Sequence, residues 1–161
     1  KLEAGVSVVQ IVGEFEDKLN AADLTLLIQK PETPVYVMAD GRHFWRVIDN
    51  LMNNICKYAQ PGTRVYVDLR ENGGQVELIF RNTSRYPLNI SSEELMERFV
   101  RGDESRNTEG SGLGISIAKS LMELMGGSFM LYVDGDLFKV VLGFAQMEEE
   151  KEPLDEDKSG K

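Results

Sequence analysis

Residues 50–58 read Asn-Leu-Met-Asn-Asn-Ile-Cys-Lys-Tyr and close a helical stretch that begins near Gly41. At about 100° per residue, Phe44, Val47, Ile48, Leu51, Met52 and Ile55 share an apolar face, while Asn50, Asn54 and Lys57 form a stripe elsewhere on the cylinder. Asp40 is placed to cap this helix, because its carboxylate can accept from first-turn amides and suits the dipole. Pro61-Gly62 stops it. Asparagine is a poor helix former, so Asn50, Asn53 and Asn54 together carry a cost that a plain surface helix would avoid. Amide carbonyl oxygens are hard, neutral donors suited to a Mg²⁺ ion that shares a nucleotide's phosphates, and Lys57 on the same side could contact a phosphate. A solvated polar helix face accounts for the same spacing.

Downstream, Arg64–Glu71 and Gln75–Asn82 alternate around Asn72-Gly73-Gly74, which is a hairpin signal. Residues 83–111 are polar and lack sustained periodicity apart from a helix-like patch over Ser91–Phe99, the pattern of a long mobile loop. Gly110-Ser111-Gly112-Leu113-Gly114 then opens a helix that runs to Met125 and ends at Gly126-Gly127. Small residues at a helix start let backbone amides approach an anion at the positive end of the dipole. Neither the dinucleotide fingerprint nor the P-loop fits this glycine spacing, and a flexible loop end is the other reading. A second hairpin spans Ser128–Val133 and Leu137–Phe144. Upstream, Val8, Val9, Ile11, Val12, Phe15 and Leu19 predict one amphipathic helix over Val6–Leu19, and Leu24–Gln29 and Val35–Met38 predict two short strands.

Composition limits the chemistry available. The 161 residues are 42% hydrophobic and 28% charged, ordinary for one globular domain, and a chain of this size buries roughly 70% of its unfolded surface without staples. Cys56 and His43 are single, which removes disulfide frameworks, Cys/His zinc sites and Ser-His-Asp triads with a spare imidazole. A formal charge of −9 argues against nucleic acid as a partner. Seven acids and three lysines crowd Met147–Lys161, so a domain over residues 1–146 is expected to precede a disordered acidic tail over 147–161. No stretch is long and apolar enough to span a membrane, so no direct membrane contact is expected. The start at Lys1 suggests a piece of something longer.

Taken together, Asn50–Tyr58 resembles the N box of sensor histidine kinases, Gly110–Gly114 resembles their G2 box, and Leu95-Met96-Glu97-Arg98-Phe99 is similar to the F box between them. Order and spacing match over about residues 6–144. The resemblance implies an α/β (α+β) fold, a two-layer Bergerat sandwich whose mixed sheet of about five or more strands backs about three helices, with a mobile ATP lid over about residues 83–111. It further implies ATP and Mg²⁺ as cofactors, Asn54 as metal ligand, Asn50 lining the same site, Lys57 on phosphate and Tyr58 beside the adenine ring. Gly110, Gly112 and Gly114 would let the lid close, with Leu113 and Gly114 amides as donors, and one of Arg98, Arg101 and Arg106 would approach the phosphates. The expected partners are ATP or ADP, a phosphoacceptor helical hairpin and a response regulator downstream. An isolated monomer is expected, as a cytoplasmic domain of a protein in a bacterial cytoplasmic membrane.

Two departures from the family pattern stand out. The G1 box usually carries an aspartate followed by two glycines at alternate positions, and sixteen residues before Arg98 stand Asn82, Ser84 and Tyr86 instead. Asn82 can still accept from the adenine amino group and donate to the ring nitrogen, since an amide has both functions; Tyr86 stands where backbone was expected to pass the base. The acceptor histidine of the family lies on a separate hairpin, and His43 does not take its place. Two rival functions remain: a switch ATPase, which needs a glutamate base where this chain has Asn50, with Asp49 as its neighbour, and a nucleotide-free pseudokinase module.

Overall fold

The computed structural model describes residues 1–101 and 113–148. In chain order the elements are β1 (Leu2–Glu3), α1 (Ala4–Gly13), α2 (Glu16–Ala21), β2 (Thr25–Gln29), β3 (Tyr36–Val37) and α3 (Gly41–Tyr58). They continue with β4 (Arg64–Asn72), β5 (Gln75–Thr83), α4 (Ser92–Arg101), α5 (Leu113–Leu124), β6 (Ser128–Asp134) and β7 (Leu137–Met147). The described strands make one seven-stranded mixed sheet in the order β1-β3-β7-β5-β4-β2, with β6 also paired to β7. Among the described strands, only β2 and β4 pair in parallel. This is the α/β sandwich that the sequence predicted.

Alternation along the strands decides which face of the sheet is covered. Val65, Val67 and Leu69 of β4, Val76, Leu78 and Phe80 of β5, and Val140, Leu142 and Phe144 of β7 are buried at every second position. They meet Phe44, Ile48, Leu51, Met52 and Ile55 of α3 and Ile115, Ala118 and Met122 of α5. Phe44 and Phe144 join the layers with ring centroids 5.5 Å apart. The opposite face of β4 and β5 is polar at its centre, where Arg81 donates to Asp68 at 2.6 Å and lies 4.9 Å from the Tyr66 ring. Gly73 and Gly74, both at positive φ (58° and 85°), form the tight turn between β4 and β5.

The cap on α3 forms as expected, with Asp40 accepting from the backbone N–H of Arg42 and His43 at 2.9 and 3.1 Å. These bonds, that from His43 first, hold the Asp40 carboxyl below its ordinary pKa. The single helix expected over Val6–Leu19 is instead two, α1 and α2. Glu14 and Phe15 donate back to Ile11 and Val12 in tight turns after Gly13, and Phe15 enters the core. The kink keeps the apolar residues in phase, so periodicity could not reveal it.

Two further differences concern the chain's ends and its middle. Residues 2 and 3 form an edge strand, and Glu3 caps α1 by accepting from Val6, Gly5 and Val35. Burial raises the Glu3 pKa, but those three amides and Lys30 outweigh it and leave the carboxyl below its ordinary value. The loop expected over 83–111 is ordered through residue 101, because α4 packs on the core through Leu95, Met96 and Phe99. Phe99 meets Phe138 edge-on at 6.4 Å. β7 runs through Met147, three residues past the strand end expected at Phe144; the tail from residue 149 lies outside the described residues.

Candidate functional site

α3 builds the site because its two faces have different tasks. Its apolar face is consumed by the core cluster, which includes residues of the sheet and α5, while Asn50, Asn54 and Lys57 lie outside that cluster. At one end of that stripe, Asn50 faces the first turn of α5. A Cβ added at Gly114 would lie 3.6 Å from the Asn50 Cβ and Oδ1, in van der Waals contact, so the Asn50 side chain and the start of α5 are direct neighbours. The Asn50 Nδ2 is buried without a hydrogen-bond partner among the described residues. Two motifs more than sixty residues apart, by their numbers, are thus brought into contact.

The other end of the stripe is pinned to the end of β5. Arg85 donates its backbone N–H to the Tyr58 carbonyl at 2.8 Å, Gln60 donates to Thr83 at 2.8 Å, and Ala59 bridges to Ser84. This places Tyr58, half-buried, beside the segment that begins at Asn82. Lys57 is exposed, its Nζ 5.7 Å from the Tyr58 ring centroid. Asn54 lies one turn before Tyr58, partly exposed.

Asn82 is 4% exposed on the core-facing side of β5, between Val65 and Phe138, and its Oδ1 has no partner among the described residues. A buried amide carbonyl left unpaired costs about 1–3 kcal/mol, a cost that a donor arriving on a ligand would offset. Ser84 is buried too, donating its backbone N–H to Asp136 and accepting from the Tyr86 N–H. Tyr86, which was expected to stand in the path of the base, is 61% exposed. The Ser84 turn directs it outward.

The remaining site candidates divide. Arg98 lies on α4 and donates to Glu94 one turn earlier at 3.3 Å, an exposed pair. Arg101 ends α4 and Leu113 begins α5. Arg106, Gly110 and Gly112 lie outside the described residues. Asn53 has a structural role: it donates to the Asp49 carbonyl and accepts from Lys18 at 2.8 Å, tying α2 to α3. Asp49 is on that same side, where burial first, and Glu14 in addition, raise its pKa against the lowering effects of Lys18, Asn53 and Arg46. The sequence reading placed Phe99 in the F-box segment but did not foresee its edge-on contact with Phe138, because the two are distant in sequence and Phe138 has the spacing of ordinary core.

A family model described as "Histidine kinase-, DNA gyrase B-, and HSP90-like ATPase" matches residues 39–153, from the α3 cap through both contacts of the asparagine stripe. The chain belongs to this ATPase family. Its relatives include the probable sensor kinase SilS of Salmonella typhimurium, 29% identical over 83% of this chain and 28% of that protein. The probable sensor protein PcoS of Escherichia coli is 34% identical over 66% of this chain and 24% of that protein. The catalytic domain of the histidine kinase ThkA superposes with a TM-score of 0.76 at 18% identity, over 90% of this chain and 93% of that one. The last likeness concerns the fold. The chain spans about a quarter of SilS and PcoS, and within such proteins it corresponds to the ATP-binding catalytic domain of a sensor histidine kinase. No helix among the described residues is long and apolar enough to cross a membrane.

Proposed function

We propose that this domain binds ATP with Mg²⁺ between α3, the end of β5 and the start of α5, and donates the γ-phosphoryl group to a histidine on a helical hairpin that is not among these residues. The observation that carries the reading is the approach of the Asn50 side chain, through its Cβ and Oδ1, to Gly114 in the first turn of α5, together with an Asn50 Nδ2 that is buried without a partner among the described residues. A donor and a helix N-terminus converging on one place suit a phosphate chain. Asn54, with Asn50 beside it, offers the neutral oxygens that fit Mg²⁺; when bound, the ion would neutralise charge developing on the phosphates. Lys57 would hold a phosphate oxygen, the Leu113 and Gly114 amides would do so from the other side, and Arg98 or Arg106 would add charge from the lid. Tyr58 would lie against the base, and Asn82 would read its edge.

Catalysis then rests on positioning rather than on a protein base, since a neutral imidazole nitrogen is already a nucleophile. Hydrolysis by a switch ATPase would need a base at position 50, and an amide cannot take up the proton. Asp49, the one neighbouring carboxylate, is grouped with Lys18, Glu14 and Arg46 rather than with Gly114. A response regulator as the next phosphoryl acceptor, and attachment to a membrane protein, follow from the sensor-kinase relatives and belong to the same proposal.

Calorimetric titration of ADP and a non-hydrolysable ATP analogue, with and without Mg²⁺, tests the site. Saturable binding strengthened by Mg²⁺ is expected, followed by phosphoryl transfer to a supplied histidine hairpin. Asn54→Ala should abolish transfer while the fold persists. Neither heat nor thermal stabilisation at millimolar nucleotide would leave the interaction-module reading in its place.

A further inference from the structure

The group at position 82 is an amide, and no hydrogen bond among the described residues decides which way round it stands. Its Oδ1 is buried and unpartnered, and no hydrogen bond from another described residue holds the side chain in one orientation. The residues opposite it in register, Val65 on one neighbouring strand and Phe138 on the other, are apolar and offer no hydrogen bond to either end of the amide. The two ends of an asparagine amide are nearly equal in size and opposite in hydrogen-bonding sense. A carboxylate at the same place would be different: both of its oxygens only accept.

That difference bears on the base. The pairing edge of a 6-aminopurine presents a donor at the exocyclic nitrogen and an acceptor at N1. A 6-oxopurine presents the reverse, an acceptor at O6 and a donor at N1. With Oδ1 toward position 6, Asn82 accepts from the amino group and donates to N1; turned over, its Nδ2 donates to O6 and its Oδ1 accepts from N1–H. Two hydrogen bonds form in either case. An aspartate keeps one good bond to the amino group but sets a carboxylate oxygen against O6, where two acceptors repel.

We propose that Asn82 makes this site accept 6-oxopurine nucleotides, those of inosine and guanosine, alongside adenine nucleotides. The proposal rests on the nucleotide-site reading above and adds the class of base that the site takes. Tyr58, if it lies against the base, suits this breadth, since stacking does not distinguish one purine from another.

The test is a calorimetric titration of the folded chain with ADP, GDP and IDP in parallel, repeated on Asn82→Asp. In the wild-type chain, IDP is expected within about tenfold of ADP, because each makes two bonds to the amide. GDP tests in addition whether its 2-amino group is accommodated, and IDP separates a clash of that group from a failure of edge reading. In Asn82→Asp, ADP should be retained while the preference for ADP over IDP widens about tenfold or more. Wild-type binding of ADP with both IDP and GDP weaker by more than a hundredfold would overturn the proposal, as would an unchanged ADP to IDP ratio in Asn82→Asp. If no nucleotide binds at all, the nucleotide-site reading fails, and the base-selectivity inference falls with it. Circular dichroism and thermal unfolding of the variant show whether it folds; Asn82→Ser, which also donates and accepts, serves as a second variant and should keep the ratio near the wild-type value.

Discussion

Replacing Asn82 with leucine separates what this residue does for the fold from what it does for a ligand. Leucine has the same branching, with two methyls where asparagine has its oxygen and nitrogen. At 4% exposure, the wild-type side chain keeps an unpaired carbonyl out of water, which costs about 1–3 kcal/mol. Removing that penalty and burying apolar carbon instead should stabilise the ligand-free domain by about 1–3 kcal/mol, and for a chain of this size each kcal/mol moves Tm by about 2–4 °C. Nucleotide at a hundred times its Kd should stabilise the wild type by about 2.7 kcal/mol and the variant by nothing. Thermal unfolding with and without ADP and Mg²⁺ reads both effects. A leucine variant that is less stable than the wild type in the absence of ligand would refute the reasoning, because it would mean that the Asn82 amide is satisfied inside the protein. A variant that keeps the full ADP-induced shift would refute the site.

Other substitutions probe separate parts of the structure. A Cβ at Gly127 would lie 2.5 Å from the Gly143 carbonyl oxygen and 2.7 Å from the Met122 Cε, so Gly127→Ala should destabilise by about 1–3 kcal/mol in urea unfolding. Ile48→Ala, at a fully buried position on the apolar face of α3, should cost about 2–5 kcal/mol and abolish binding only through loss of the fold. Glu3 has a folded pKa below its ordinary value, so its stabilisation is present above the unfolded pKa and is lost as pH falls through the folded one. The stability gap between wild type and Glu3→Gln should therefore be widest near neutrality and close in acid. Asp49 runs the other way: its raised pKa means that the charged form is disfavoured in the fold, so Asp49→Asn should gain stability near neutral pH, and the gain should vanish as pH falls through the Asp49 pKa.

Much of this protein was legible from local pattern, because local pattern is what backbone periodicity records. The α3 faces, the Asp40 cap, both hairpins and the α5 start stand where alternation, helical spacing and turn glycines put them. So does the identity of the polar stripe, since Asn50, Asn54 and Lys57 are one helix's own geometry. Where a kink left the apolar phase unchanged, as between α1 and α2, periodicity had nothing to report. The helix-like patch over Ser91–Phe99 stands as α4, but that it packs on the core was not legible, because Phe138, which Phe99 meets, is distant in sequence.

Tertiary structure alone decided the relations between those pieces. No spacing in the chain says that Asn50 meets Gly114, that Tyr58 is tied to Arg85, or that Asp49 is grouped with Lys18 and Glu14 while its neighbour Asn50 faces α5. Nor does composition say that Tyr86 turns outward while Asn82 keeps an unpaired carbonyl in the core. The physical reason is that one residue's step along a helix or strand redirects a side chain by a fixed angle, which sequence records. What lies at the end of that direction depends on how elements pack across the sheet, and that only the folded chain specifies.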